Sequence, residues 1–89
     1  MSIVRRTGKW LALPVDDEVL MMHEDTGRFM SLNMSAGLIW TALEEPRSTE
    51  DLALLITDTF EVDESSARDD LKNCLATLEK EGAIVVEAG

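Results

Sequence analysis

The chain has 89 residues, of which 45% are hydrophobic, and its formal net charge is −10. This length predicts one domain with a small core, and the hydrophobic fraction excludes a wholly disordered chain. The excess of 18 acidic over 8 basic residues disfavours nucleic acid and anionic membrane surfaces as partners, because both would repel the protein. Plain solubility explains this charge more simply than a basic partner does.

The single cysteine, Cys74, excludes an internal disulfide bond and a thiolate metal cluster. Every apolar run falls short of the roughly 18 residues that a membrane span requires. The charged N-terminal stretch is not followed by an apolar segment of signal-peptide length. We therefore expect a cytoplasmic protein, with no metal and no cofactor.

Two strands are predicted in the first quarter of the chain. Residues 1–8 are expected to form a flexible N-terminus that precedes a single domain over residues 9–86. The first strand covers residues 9–13, and Pro14 ends it or marks it as an edge strand. The second covers residues 18–23, where four consecutive apolar residues indicate burial on both faces or a central place in the sheet.

A third strand is predicted over residues 28–32, after a hairpin turn in which Gly27 is free to take a positive φ. Side chains alternate between the two faces of a strand. We predict that Met30 and Leu32 face the core and that Phe29 and Ser31 point to the other side.

The first helix is predicted to begin after Asn33, a good N-cap, and to end near Leu43, before a proline. Gly37 lies inside this helix and costs about 1 kcal/mol relative to alanine, so we expect another element to approach it closely. The apolar residues on one face are Ala36, Ile39, Trp40 and Leu43.

Two more helices are predicted, capped by Ser48 and Asp63, and Gly82 suits the left-handed position that ends the last one. Residues 83–86 are apolar and long enough to add a final strand. Strands and helices are thus segregated along the chain, which predicts an α+β fold. Three helices with short connections beside a small sheet are the ingredients of a winged helix-turn-helix.

The third strand and first helix resemble the signature of the PqqD-like family, whose members recognise precursor peptides in pathways that modify ribosomally made peptides. The residues that carry the resemblance are Thr26-Gly27-Arg28-Phe29-Met30-Ser31-Leu32-Asn33 and Ile39-Trp40, with a weaker pattern of Asp70-Leu71, Leu75, Leu78 and Gly82 in the third helix. The resemblance covers roughly residues 9 to 86.

The resemblance implies a three-stranded sheet packed on three helices, with the leader peptide of a precursor added as a strand between the third strand and the third helix. It implies a peptide-binding role for the strand residues Arg28, Phe29, Met30, Ser31 and Leu32. On the third helix, we favour the flank formed by Asp70, Asn73, Cys74 and Thr77 over the flank formed by Arg68, Lys72 and Glu79.

Within the family, the strand and helix pattern is more similar to stand-alone partners of lasso-peptide pathways, which work beside a separate leader peptidase and cyclase. The alternative is a chaperone of pyrroloquinoline quinone biosynthesis, whose proline-acid pattern this chain lacks after Pro14. An exposed edge strand also allows a homodimer.

The sequence disfavours two functions of other classes. A winged-helix DNA-binding protein is disfavoured because acidic residues outnumber basic ones in the predicted third helix. Catalysis is disfavoured because Cys74 lies on an apolar stripe and His23 is the only candidate base, so we predict no catalytic residues.

Overall fold

The computed structural model describes residues 2–88, which form two three-stranded antiparallel sheets and three helices. This arrangement confirms the predicted α+β class. None of the helices in the described part of the chain has the length and apolarity that crossing a membrane requires. The elements are β1 (Ser2–Arg6), β2 (Trp10–Val15), β3 (Glu18–His23), β4 (Phe29–Leu32), α1 (Met34–Ala42), β5 (Arg47–Ser48), α2 (Thr49–Phe60), α3 (Glu64–Lys80) and β6 (Ile84–Ala88).

The three predicted strands form one sheet in the order β2-β3-β4, so the apolar strand β3 is central as expected. Pro14 does not end its strand but lies within β2, paired with Val19 of β3. An edge strand tolerates proline where the missing N–H would have faced away from the sheet. Gly27 has a φ of +73°, as the hairpin turn requires.

A second sheet, in the order β5-β1-β6, joins the two ends of the chain. This sheet corrects the prediction of a flexible N-terminus over residues 1–8, since residues 2–6 pair along their length with β6. Val4 is fully buried there. The partner strand β6 is the last of the described elements, so no pattern of neighbouring residues predicts the pairing. Met1 lies outside the described residues.

All three predicted N-caps are present, and each side chain accepts a hydrogen bond from a backbone N–H in the first helical turn. The bond from Ser66 N–H to Asp63 is 2.7 Å long and lowers the pKa of this carboxyl. The caps of α1, α2 and α3 are Asn33, Ser48 and Asp63.

Helix α1 packs against the inner face of the β2-β3-β4 sheet and links it to the second sheet. An added Cβ at Gly37 would lie 3.0 Å from Val19 Cγ2, which confirms the predicted close approach. Ile39 and Trp40 are buried, as their places on the apolar face predict. The Arg6 guanidinium of β1 lies 4.2 Å from the centre of the Trp40 ring, so α1 contacts both sheets.

Candidate functional site

Strand β4 lies at the border of its sheet, with β3 as its neighbour on one side. Within residues 2–88, no strand pairs with its other side, because the C-terminal strand β6 pairs with β1 in the second sheet. The backbone of β4 therefore offers an open row of hydrogen-bonding groups.

The hydrogen bonds at the hairpin show which residues of β4 face this open side. His23 N–H donates to Arg28 C=O at 2.8 Å, so these two residues form a hydrogen-bonded pair. Bonded and non-bonded pairs alternate along an antiparallel ladder, so the pairs Met21–Met30 and Val19–Leu32 are also bonded. The N–H and C=O groups of Phe29 and Ser31 consequently point away from β3.

The opposite border of the sheet differs in one important respect. Glu24 N–H donates to Lys9 C=O at 2.9 Å, and the same alternation directs the backbone of Trp10, Ala12 and Pro14 outward from β2. Pro14 has no N–H to donate, so this border is a poorer template for a further strand. The sheet thus has one border well suited to strand addition and one that Pro14 makes less suitable.

A groove of about 460 Å³ runs between β4 and α3. Its residues come from β4, the start of α1 and one flank of α3: Ser31, Leu32, Asn33, Ser35, Ala36, Asp70, Asn73, Cys74, Thr77 and Leu78. The structure therefore brings the predicted α3 residues together with the last two residues of β4.

The groove has an apolar floor and one polar wall. Leu32 and Leu78 are buried, whereas Asp70 and Asn73 of α3 are exposed. Burial raises the pKa of the Cys74 thiol to about 11, so this group is neutral at ordinary pH. Asp70 is the one ionisable carboxyl among the residues that line the groove, and it gives this surface a negative sign.

One end of the hairpin is tied to the end of α3 by Glu81. Arg28 Nη2 lies 2.9 Å from Glu81 Oε1, and Trp10 Nε1 donates to the Glu81 carbonyl oxygen at 3.3 Å. These contacts connect the start of β4 to the C-terminal end of α3, so the two elements run antiparallel along the groove. Arg28 is thus already paired within the protein.

Two other residues predicted to bind peptide lie outside the groove lining. Phe29 is 66% exposed and points to the face of the sheet opposite the helices. Met30 is half-buried and packs against the core. Both orientations follow the predicted alternation of β4. Four residues that line the groove were not predicted from the sequence: Asn33, Ser35, Ala36 and Leu78. The direct passage from β4 to the cap of α1 was the available signal for the first three, and the apolar stripe of α3 was the signal for Leu78.

The other flank of α3 lies beside the second sheet. Arg68, Lys72 and Glu79 line a separate groove of about 540 Å³, together with Val86 of β6. The two flanks of α3 therefore face different sheets. The flank formed by Asp70, Asn73, Cys74 and Thr77 is the one beside β4.

The only candidate nucleophile and base are not paired. His23 Nδ1 accepts hydrogen bonds from the N–H groups of Asp25 and Thr26, at 3.1 and 3.2 Å, so it organises the hairpin turn. Within residues 2–88, no hydrogen bond joins His23 to Cys74 and no three His, Cys, Asp or Glu side chains are grouped to hold a metal ion.

The sequence model of the family described as "Coenzyme PQQ synthesis protein D (PqqD)" matches residues 18–84, from β3 to the start of β6. The chain belongs to the PqqD family. No curated protein sequence matches the chain significantly.

Two solved structures share the fold of this PqqD family member along nearly its whole length. "TbiB1 in Complex with the TbiA(beta) Leader Peptide" is 26% identical and has a TM-score of 0.81, with 90% of this chain and 93% of that one covered. "Lasso peptide synthetase B1 complexed with the leader peptide" is 23% identical and has a TM-score of 0.79, with 92% and 96% covered. The second likeness shows the fold alone.

Proposed function

We propose that this protein is a non-catalytic adaptor that binds the leader peptide of a ribosomally made precursor and presents the precursor to modifying enzymes. The observation that carries the proposal is the open border of β4 beside the groove on α3. Membership of the PqqD family and the likeness to TbiB1, whose structure contains a leader peptide, support it.

Binding would occur by strand addition. The outward N–H and C=O groups of Phe29 and Ser31 would bond an extended peptide backbone, which provides affinity with little dependence on sequence. Alternate side chains of the added strand would enter the groove and lie against Leu32, Cys74 and Leu78. Because Asp70 borders this groove, a basic leader residue at that position would bind more favourably than an acidic one.

We favour a lasso-peptide pathway over quinone-cofactor biosynthesis, because the pattern of residues 26–40 resembles the stand-alone partners of lasso-peptide pathways and the likeness to TbiB1 is to a structure with a leader peptide. A separate leader peptidase or maturation enzyme would then carry out the chemistry. The winged helix-turn-helix arrangement of the three helices stays a prediction, as does pairing of two copies through β4.

The proposal is tested with Ser31→Pro, which removes an outward N–H of β4 without removing a hydrogen bond to β3. We expect the dissociation constant for a fluorescent leader peptide, taken from the precursor of the same pathway, to rise about tenfold, since a net hydrogen bond is worth about 1 kcal/mol and strand geometry is also disturbed. Fluorescence anisotropy gives the measurement.

Two variants serve as controls. Ser31→Ala keeps the backbone N–H, and Ala12→Pro removes an outward N–H at the opposite border of the sheet, on β2. Both should bind the leader peptide within about twofold of the unchanged protein, and thermal unfolding checks that all variants fold. Equal weakening by Ala12→Pro, or no saturable binding at tens of micromolar, contradicts strand addition at β4.

A further inference from the structure

The outer face of the β2-β3-β4 sheet, which points away from all three helices, is covered by apolar side chains. Four of them are 46–66% exposed and two on the central strand are half-buried. The pairing register arranges them in adjacent rows across the sheet. They are Leu11, Leu13, Val15, Leu20, Met22 and Phe29, and together they form what we call the outer apolar face.

This face is unusual for a solvated sheet. An antiparallel sheet with one face in water normally carries polar residues on that face. The largest contiguous apolar patch on a soluble monomer typically measures a few hundred Å² and often has a function. Three strands spaced about 4.8 Å apart and about 20 Å long give this face that order of size. The core lies on the opposite side, so packing within the chain does not explain these residues.

Acidic residues border the outer apolar face at both ends. Asp16, Asp17 and Glu18 lie at the β2–β3 turn, and Glu24 and Asp25 lie at the β3–β4 turn, about 20 Å away along β3. The two neighbouring bases are each paired with an acid: Lys9 lies 3.6 Å from Asp25, and Arg28 lies 2.9 Å from Glu81. The charge around the face is therefore negative, which favours a partner with basic side chains around an apolar centre.

We propose that the outer apolar face docks a different protein, the enzyme that processes the delivered peptide, and that this enzyme presents an apolar surface bordered by basic side chains. The identity of the partner rests on the adaptor function proposed above. A second copy is a poor occupant, because two chains of charge −10 would bring the same acidic turns together. A face of a few hundred Å² is also below the roughly 800 Å² that each partner of a stable complex buries.

The bound peptide would enlarge the surface that the enzyme contacts. Phe29 contributes its side chain to the outer apolar face and its backbone to the open border of β4. A strand added on β4 would therefore extend this face by one row, with every second peptide side chain beside Phe29 or Ser31. The enzyme would contact adaptor and peptide together, so each of the two ligands would raise the affinity for the other by the same factor.

The test compares Leu13→Lys with Leu54→Lys. Both leucines are exposed to a similar degree, 61% and 60%, but Leu54 lies on α2, away from the outer apolar face. The probe is the purified leader peptidase of the same pathway, titrated against the labelled adaptor with saturating leader peptide. We expect Leu13→Lys to weaken peptidase binding at least tenfold and Leu54→Lys to leave it within twofold.

Leader binding is measured separately, without the peptidase. Normal leader affinity of Leu13→Lys with lost peptidase affinity supports the inference, as does weaker peptidase binding when salt screens the acidic border. Unchanged peptidase affinity of Leu13→Lys overturns the inference and leaves the adaptor function intact. A wild-type dimer in sedimentation that Leu13→Lys dissociates overturns it in favour of a second copy. Absence of leader binding to the wild-type protein contradicts the adaptor function itself.

Discussion

The thiol of Cys74 lines the groove on α3, yet burial keeps it in its neutral form. Sequence reasoning placed this residue on the apolar stripe of a helix and treated it as a small hydrophobic group. Its half-buried position fits that interpretation. Its raised pKa could not be predicted from the helical pattern, because it depends on how closely β4 and α1 approach the helix.

A pKa of about 11 in place of the usual 9.0 lowers the thiolate fraction at pH 8 about a hundredfold. We expect iodoacetamide to alkylate Cys74 about a hundredfold more slowly than a cysteine in an unstructured peptide, since the thiolate is the reacting species. The rate should rise about tenfold per pH unit up to about pH 11. Mass spectrometry follows the modification.

Leader peptide in the groove should slow this alkylation further. Unfolding in urea provides the control, because it returns Cys74 to the reactivity of a free cysteine. Alkylation of the folded protein at the rate of the unstructured peptide would show that the thiol is not shielded as described.

At the scale of single elements, the strands and helices around the groove could be predicted from the sequence, because alternation and helix caps are patterns of neighbouring residues. Alternation in residues 28–32 predicted the faces of β4, and Asn33 predicted the start of α1. The same alternation predicted that the Phe29 side chain points away from the core. What the sequence did not reveal was that Leu11, Leu13 and Val15 share this outer face, because the boundary and register of β2 decide that.

The contact between α1 and β3 gives a prediction about Gly37. Alanine there would gain about 1 kcal/mol of helix propensity, but its Cβ would lie 3.0 Å from Val19 Cγ2. Overpacking of this kind costs about 1–3 kcal/mol, so we expect Gly37→Ala to lower the free energy of unfolding by about 1 kcal/mol. Urea denaturation measures the change.

The double-mutant cycle identifies the cause. In a Val19→Ala background the clash is absent, and Gly37→Ala should then raise stability relative to Val19→Ala alone. Equal effects of Gly37→Ala in both backgrounds would mean that Val19 is not the group that requires glycine.

At the scale of the whole molecule, the second sheet was the part that was not predicted from the sequence. Strands β1 and β6 are the first and last elements of the described chain, and their pairing closes the fold around Val4 and Ile84, which are both buried. A long-range pairing leaves no periodic signal in a five-residue strand. The sequence of Ser2–Arg6, taken alone, therefore predicted a flexible N-terminal segment.

The closure predicts that Val4 stabilises the entire domain. Val4→Ala should lower the free energy of unfolding by about 2 kcal/mol, because it leaves a cavity in a fully buried position. Val85→Ala, at a 40% exposed position of β6, serves as the control and should cost less than about 1 kcal/mol. Urea denaturation followed by circular dichroism compares them; equal, small effects would indicate a flexible N-terminal segment.

Pro14 also determines which assemblies the β2-β3-β4 sheet can form. Growth of a filament by sheet extension would require β4 of one molecule to join β2 of the next, head to tail, and Pro14 disfavours that contact. Two molecules related by a twofold axis can pair their β4 strands, so that the open hydrogen-bonding groups of each strand are used. The borders that remain are the two β2 strands, where Pro14 disfavours addition of a third molecule. Self-association through this sheet would therefore stop at a closed pair, which displaces the leader peptide but does not propagate.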